Sequence, residues 1–330
     1  MKKSHFCIIL FFLSCISCFS LEKEIVFPVE GFLTPESNTV NVEAKWNENW
    51  FGEKSSKIYN HNLARICAVL SEVSYVDVEK SPKENALLNC YKALGVAEKN
   101  IEFHYEIDYS NSMWGNDQCA FSFAFKEING SYGKKNLVFV VVRGTPLSCN
   151  EWISNLNISD STEEMQEFNE GFLRSSKQLE NAFIAFLFKN KIVIEDCFLL
   201  ITGHSRGGGV ANLFAMELYE TELFKTDNIY AYTFACPNVT SRNDYGDEKF
   251  SYIWNIVNAE DLVTFLPMNI GQWKYGKYGQ IKTLVNSWNV DEAFFDNILL
   301  PEMNEFYSLF LKRDFSPFKS GPFLPIQVAT

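Results

Sequence analysis

Apolar positions along this chain fall into helical and strand-like patterns in a definite order. Leu63, Ile66, Cys67, Leu70 and Val73 recur at helical spacing within residues 57–75, which predicts an amphipathic helix, and a second helical patch covers residues 83–94. Strand-like runs occupy 101–109 and 119–128. Asn129-Gly130 then offers a turn into the apolar run 137–142, so a hairpin feeding a fully buried strand is expected. Gly144 and Pro146 end that strand abruptly. Residues 170–189 predict a long helix with Phe172, Leu179, Phe183, Phe186 and Leu187 on one side. From there strand 197–202, helix 208–219 and strands 229–235 and 252–257 follow one another. Such alternation implies a mainly parallel sheet with both faces covered. Residues 21–56, with Pro28, Gly31 and Pro35, read as an irregular or β-rich lead-in to one α/β domain over 57–330, and the aromatic tail beyond Gly271 carries no assigned element.

The amino terminus adds an address. Lys2 and Lys3, an apolar run at 6–13 and small residues to Ser20 form the pattern of an export signal over residues 1–20. The apolar run is far shorter than the roughly 20 residues that span a bilayer. Ordinary cleavage before Leu21 and bacterial lipoprotein processing at Cys15 or Cys18 both fit, the latter implying a lipid anchor; the destinations are secretion, the periplasm or a membrane surface. Without the signal, 27 basic residues face 41 acidic ones, a net charge of −14 that suits neither nucleic acid nor anionic membrane. The six remaining cysteines show no metal-ligand spacing. Their even number permits disulfides, although Cys197 and Cys236 sit in apolar runs and read as buried thiols. No phosphate-cradling glycine loop is present, so no cofactor or metal is expected.

The chemistry concentrates at Gly203-His204-Ser205-Arg206-Gly207, a G-x-S-x-G that directly follows an apolar strand and precedes a small-residue helix. A serine on such a sharp strand-to-helix turn is exposed for attack while the glycines relieve crowding. Ser205 is therefore the candidate nucleophile. His204 points away from its neighbour's hydroxyl and reads as a packed histidine, and the backbone N–H of Arg206 is one candidate oxyanion donor. A second donor belongs at the end of the earlier strand, at Val142-Arg143-Gly144-Thr145. Asp261, just beyond the strand at 252–257, stands where the acid of a Ser…Asp…His order belongs; the alternative for it is a helix cap, and Glu260 is the fallback acid.

Taken together, Arg143-Gly144-Thr145, Glu151-Trp152-Ile153-Ser154-Asn155, the Gly-His-Ser-Arg-Gly-Gly run and Asp261 with Leu266-Pro267 make residues 57–280 resemble the fungal-type (class 3) lipases and their bacterial relatives. Segments 230–238 and 273–279 are also similar to bacterial members. The resemblance implies the α/β-hydrolase fold, Thr145 at the oxyanion position, a lid over 146–168 and a lipid or other acyl ester as substrate. It also implies a catalytic histidine after Asp261. The chain has none: its histidines are His5, His61, His104 and His204. Asn169 and Glu170 stand where family members often carry a further histidine, and Glu302 or Asn304 occupies the tail where the catalytic one belongs. Two readings follow, an acyl-ester hydrolase with an altered base, and a pseudoenzyme that keeps the fold to bind lipid or a protein partner.

Overall fold

The computed structural model describes residues 22–29, 40–75, 86–105, 119–144, 167–258, 261–267, 269–270 and 273–284. In chain order these form β1 (Lys23–Val29), β2 (Val40–Trp46), α1 (His61–Val73), α2 (Ala86–Ala93), β3 (Ile101–His104), β4 (Phe121–Gly130), β5 (Gly133–Val142), α3 (Glu170–Lys189), β6 (Cys197–His204), α4 (Arg206–Glu220), β7 (Ile229–Phe234), β8 (Ile253–Val257), β9 (Asn269–Ile270), β10 (Trp273–Lys274) and β11 (Gln280–Thr283), with short 3-10 turns between some of them.

Seven strands make the central sheet, in the order β11-β8-β7-β6-β5-β4-β3. Strands β5, β6, β7, β8 and β11 run parallel, while β4 and β3 join antiparallel at one edge. The alternation of side chains along β5 shows how the layers form. Leu137, Phe139 and Val141 face α1, α2 and the β1–β2 pair, whereas Val138, Val140 and Val142 face α3 and α4. Both sets are fully buried, which is why this strand reads as a continuous apolar run. Each such side chain stabilises the fold by about 1.5–3 kcal/mol before entropy is counted.

One expectation is corrected and two open readings are filled in. The hairpin reverses at Ser131-Tyr132, not at Asn129-Gly130: β4 continues to Gly130, which pairs with Gly133. The Tyr132 ring packs edge-on against Phe198 at 5.0 Å and its hydroxyl donates to Glu48 O at 3.0 Å, so burying an aromatic ring at the bend outweighs the local Asn-Gly preference. Residues 23–29 and 40–46 of the lead-in are an antiparallel pair, and Ile25, Phe27, Ala44 and Trp46 are built into the same core as α1 and α2. Finally, 280–283 in the unassigned tail is β11, which extends the parallel sheet beside β8.

Candidate active site

Strand β6 ends at His204, and α4 begins at Arg206, two residues earlier than the sequence pattern suggests. Ser205 alone makes the turn, at φ 60° and ψ −129°. A non-glycine residue there costs on the order of 1–3 kcal/mol and persists only where its surroundings impose it. They do so through the backbone. Ser205 N–H donates to Phe234 O at 2.8 Å, and Ser205 O accepts from Gly209 N–H at 3.1 Å. A Cβ on Gly203 would lie 2.6 Å from the Gly207 carbonyl carbon, and one on Gly207 would lie 2.7 Å from that of Arg143. The glycines of the motif are thus required by close approach of β5, β6 and α4. Arg206 opens α4, so its N–H is among the first four that lack an intrahelical acceptor, at the positive end of the helix dipole.

The end of β5 is fixed beside this turn. Arg143 N–H donates to Ala120 O at 2.8 Å, its carbonyl accepts from Cys119 Sγ at 2.9 Å, and its guanidinium lies 4.9 Å from the centre of the Tyr105 ring. The Tyr75 hydroxyl fills the space that a Cβ on Gly144 would need and is bonded to His204 Nδ1 at 2.9 Å. His204 is accordingly a packed residue, as expected, and burial pushes its imidazole below the ordinary value. Thr145 lies outside the described residues, as do Glu260, Glu302, Asn304, the segment 146–166 and the signal with Cys15 and Cys18.

Asp261 follows β8, which is separated from β6 by β7 alone; two strand spacings, about 10 Å, lie between the strands leading to acid and nucleophile. Its Oδ1 accepts from Val263 N–H at 3.0 Å, so it caps the 3-10 turn Leu262–Phe265. The capping role does not exhaust a carboxylate, whose other oxygen can still accept. Burial raises the Asp261 carboxyl above the usual range, and the Val263 N–H and Lys277 oppose that rise.

Several residues that pattern reading passed over join the two sides. Asn212 of α4 donates to Asn255 Oδ1 of β8 at 3.0 Å and to Tyr278 O at 2.8 Å, Tyr278 N–H returns a bond to Asn212 Oδ1 at 3.1 Å, and Thr233 Oγ1 of β7 donates to Asn255 Oδ1 at 2.7 Å. Asn238 donates through Nδ2 to Phe265 O at 3.2 Å and Pro267 O at 2.8 Å. It is only 8% exposed. An asparagine inside an apolar helix or strand is the one signal that could have singled out Asn212 and Asn255.

The two remaining described histidines are placed elsewhere in the fold. His61 begins α1, about 18 Å of helix from Val73 at its other end. His104 is on the edge strand β3, bonded to Glu102 Oε1 at 2.8 Å and stacked 4.7 Å from Phe121. Five strand spacings, about 24 Å, lie between β3 and β8.

Residues 139–270, which run from β5 through the nucleophile turn and the acid turn, match the family described as Lipase (class 3). A lipase from Rhizomucor miehei is 29% identical over 142 residues, covering 39% of this chain and 37% of that protein, so the match spans little more than a third of the relative. Among solved structures, the triacylglyceride lipase of Rhizomucor miehei is similar with a TM-score of 0.48 and 20% identity over 68% of this chain and 80% of that one. The lipase of Rhizopus microsporus var. chinensis gives 0.48 and 18% over 67% and 73%. With its mostly parallel sheet and its serine on a strand-to-helix turn, the chain has the fold of the α/β-hydrolases, and its residues 139–270 are similar to the fungal-type, class 3 lipases.

Proposed function

We propose that this chain is an exported, lipase-like carboxylic-ester hydrolase whose nucleophile is Ser205 and whose ordinary base is lacking. The observation that carries the reading is the backbone of Ser205, held at positive φ between β6 and α4 by contacts that leave no alternative path. In this reading Ser205 Oγ attacks an ester carbonyl, the Arg206 N–H and Thr145 bind the oxyanion, and water later releases the acyl group. The substrate class, a lipid or other acyl ester, follows from the family match. A serine hydroxyl without a base is a weak nucleophile, and removing the histidine of a serine triad costs on the order of 10⁶ in kcat. Turnover is therefore expected to be slow. A fluorophosphonate probe tests the reading: wild type should label at Ser205, and Ser205→Ala should not. If wild type turns over simple esters at about 1–10³ s⁻¹ with a controlling group near the ordinary histidine value, the base is present after all, and His61→Ala and His104→Ala identify it.

One observation favours a second reading, a binder of lipid or a protein partner: no histidine follows position 204, and His104 lies on the edge strand β3, five strand spacings, about 24 Å, from β8. Unlabelled wild type that still binds a fluorescent fatty acyl ester selects it. Export rests on residues 1–20, and mass spectrometry of the native amino terminus distinguishes Leu21 from an acylated Cys15 or Cys18.

A further inference from the structure

Lys277 is only 5% exposed, an unusual place for an amine, and its position is tightly set. Its Nζ donates to Cys236 O at 2.5 Å and to Thr264 O at 2.6 Å. Thr264 in turn bonds to Asp261 O through both its N–H, at 3.2 Å, and its Oγ1, at 2.7 Å. The strand segment carrying Lys277 is itself pinned, since Gly276 N–H donates to Thr240 O at 2.7 Å and Gly276 O accepts from Val239 N–H at 2.7 Å. Cys236 leads back to the nucleophile: a Cβ on Gly208 of α4 would lie 3.4 Å from Cys236 Cα.

We infer that Lys277 is a positioning residue for Asp261, its ammonium bracing the acid turn against the loop after β7 and supplying the buried positive charge that faces the carboxylate. The inference deepens the reading of Asp261 as the acid of the site and rests on it. As an ammonium, Lys277 supplies both carbonyls with a donor and carries the charge that the inference requires. Burial pushes the Lys277 amine below its ordinary value; the charge of Asp261 from the acid turn opposes that fall, and Cys236 from the loop after β7 does so only as a thiolate. Toward Asp261 the favour is returned. The cation thus opposes the rise that burial imposes on the carboxyl.

The test is a titration of the Asp261 carboxyl carbon by NMR in the full chain, with Asp261→Asn identifying the signal. In Lys277→Met the midpoint should rise by about one pH unit or more, the size expected when an opposite charge nearby is removed. An unchanged midpoint in a folded Lys277→Met overturns the inference and leaves Lys277 a strut. Should that variant fail to fold, the reciprocal measurement serves: the Lys277 amine should titrate lower in Asp261→Asn than in wild type, and an unchanged value overturns the inference equally. Fluorophosphonate labelling separates the two ideas, because a shifted Asp261 with unlabelled Ser205 supports this inference and counts only against the hydrolase reading.

Discussion

The nucleophile side of the site and its acid side are held by different kinds of contact. Around Ser205 the backbone meets backbone: β5, β6 and α4 approach so closely that Gly203 and Gly207 admit no side chain, and the turn has nowhere else to go. Around Asp261, side chains from distant segments reach in, with Lys277 and Asn238 spanning gaps that the main chain leaves. The first arrangement is geometric. The second is electrostatic and responds to substitution and pH.

The largest effect should come from breaking the geometric side. In Gly207→Ala the new Cβ meets carbonyl groups of Val142 and Arg143, which cannot rotate aside. We expect a loss of about 3 kcal/mol or more in urea unfolding, at or above the upper end of ordinary overpacking, together with loss of Ser205 labelling. Stability within about 1 kcal/mol of wild type would show that the turn can yield. Next is Asn255→Leu, which strips partners from Asn212, Thr233 and the carbonyl of Tyr278 at the seam between the two sides. Leaving these buried groups unsatisfied should cost about 2–4 kcal/mol in the same measurement. Tyr75→Phe removes the bond to His204 Nδ1 together with a longer one to His204 O, and about 1 kcal/mol is expected.

The smallest effects are in pH dependence, where the two sides should show opposite signs. Burial lowers His204, so its contribution is fully present above the ordinary imidazole value and is lost as pH falls through the depressed folded value. Asp261 is raised, so its contribution is present below the ordinary carboxylate range and is lost as pH rises through the elevated folded value. His204→Asn and Asp261→Asn should each flatten the stability profile in its own window, measured by urea unfolding from pH 4 to 8. Matching slopes before and after either substitution would refute that assignment.

What the sequence made legible on each side follows from the same difference. The nucleophile turn is written locally: glycines at fixed offsets, an apolar strand before and a helix after, so Ser205 and the N–H of Arg206 could be placed from five consecutive residues. The helix Glu170–Lys189 was likewise visible, because its buried Phe172, Leu179, Phe183, Phe186 and Leu187 share one stripe. Lys277, Tyr75 and Asn212 were not, since their decisive partners lie 41, 129 and 66 residues away. Nothing in Lys-Tyr-Gly announces a buried cation. At Asp261, capping and catalysis ask for the same residue type, and the structure shows the capping.

The cysteines give the molecule a clock of its own. Among the described residues, Cys67, Cys90, Cys119, Cys197 and Cys236 are all buried and unbridged. Burial pushes every one of them up, Cys236 to about 11 and Cys90 to about 12, so almost none is thiolate, the form that alkylates. Reaction must then wait for local opening. Cys67 and Cys90 lie in the layer beneath α1 and α2, while Cys119, Cys197 and Cys236 lie in the layer beneath α3 and α4. The order in which an alkylating reagent marks the two sets, followed by mass, times which face of the sheet comes apart first, without introducing a single foreign probe.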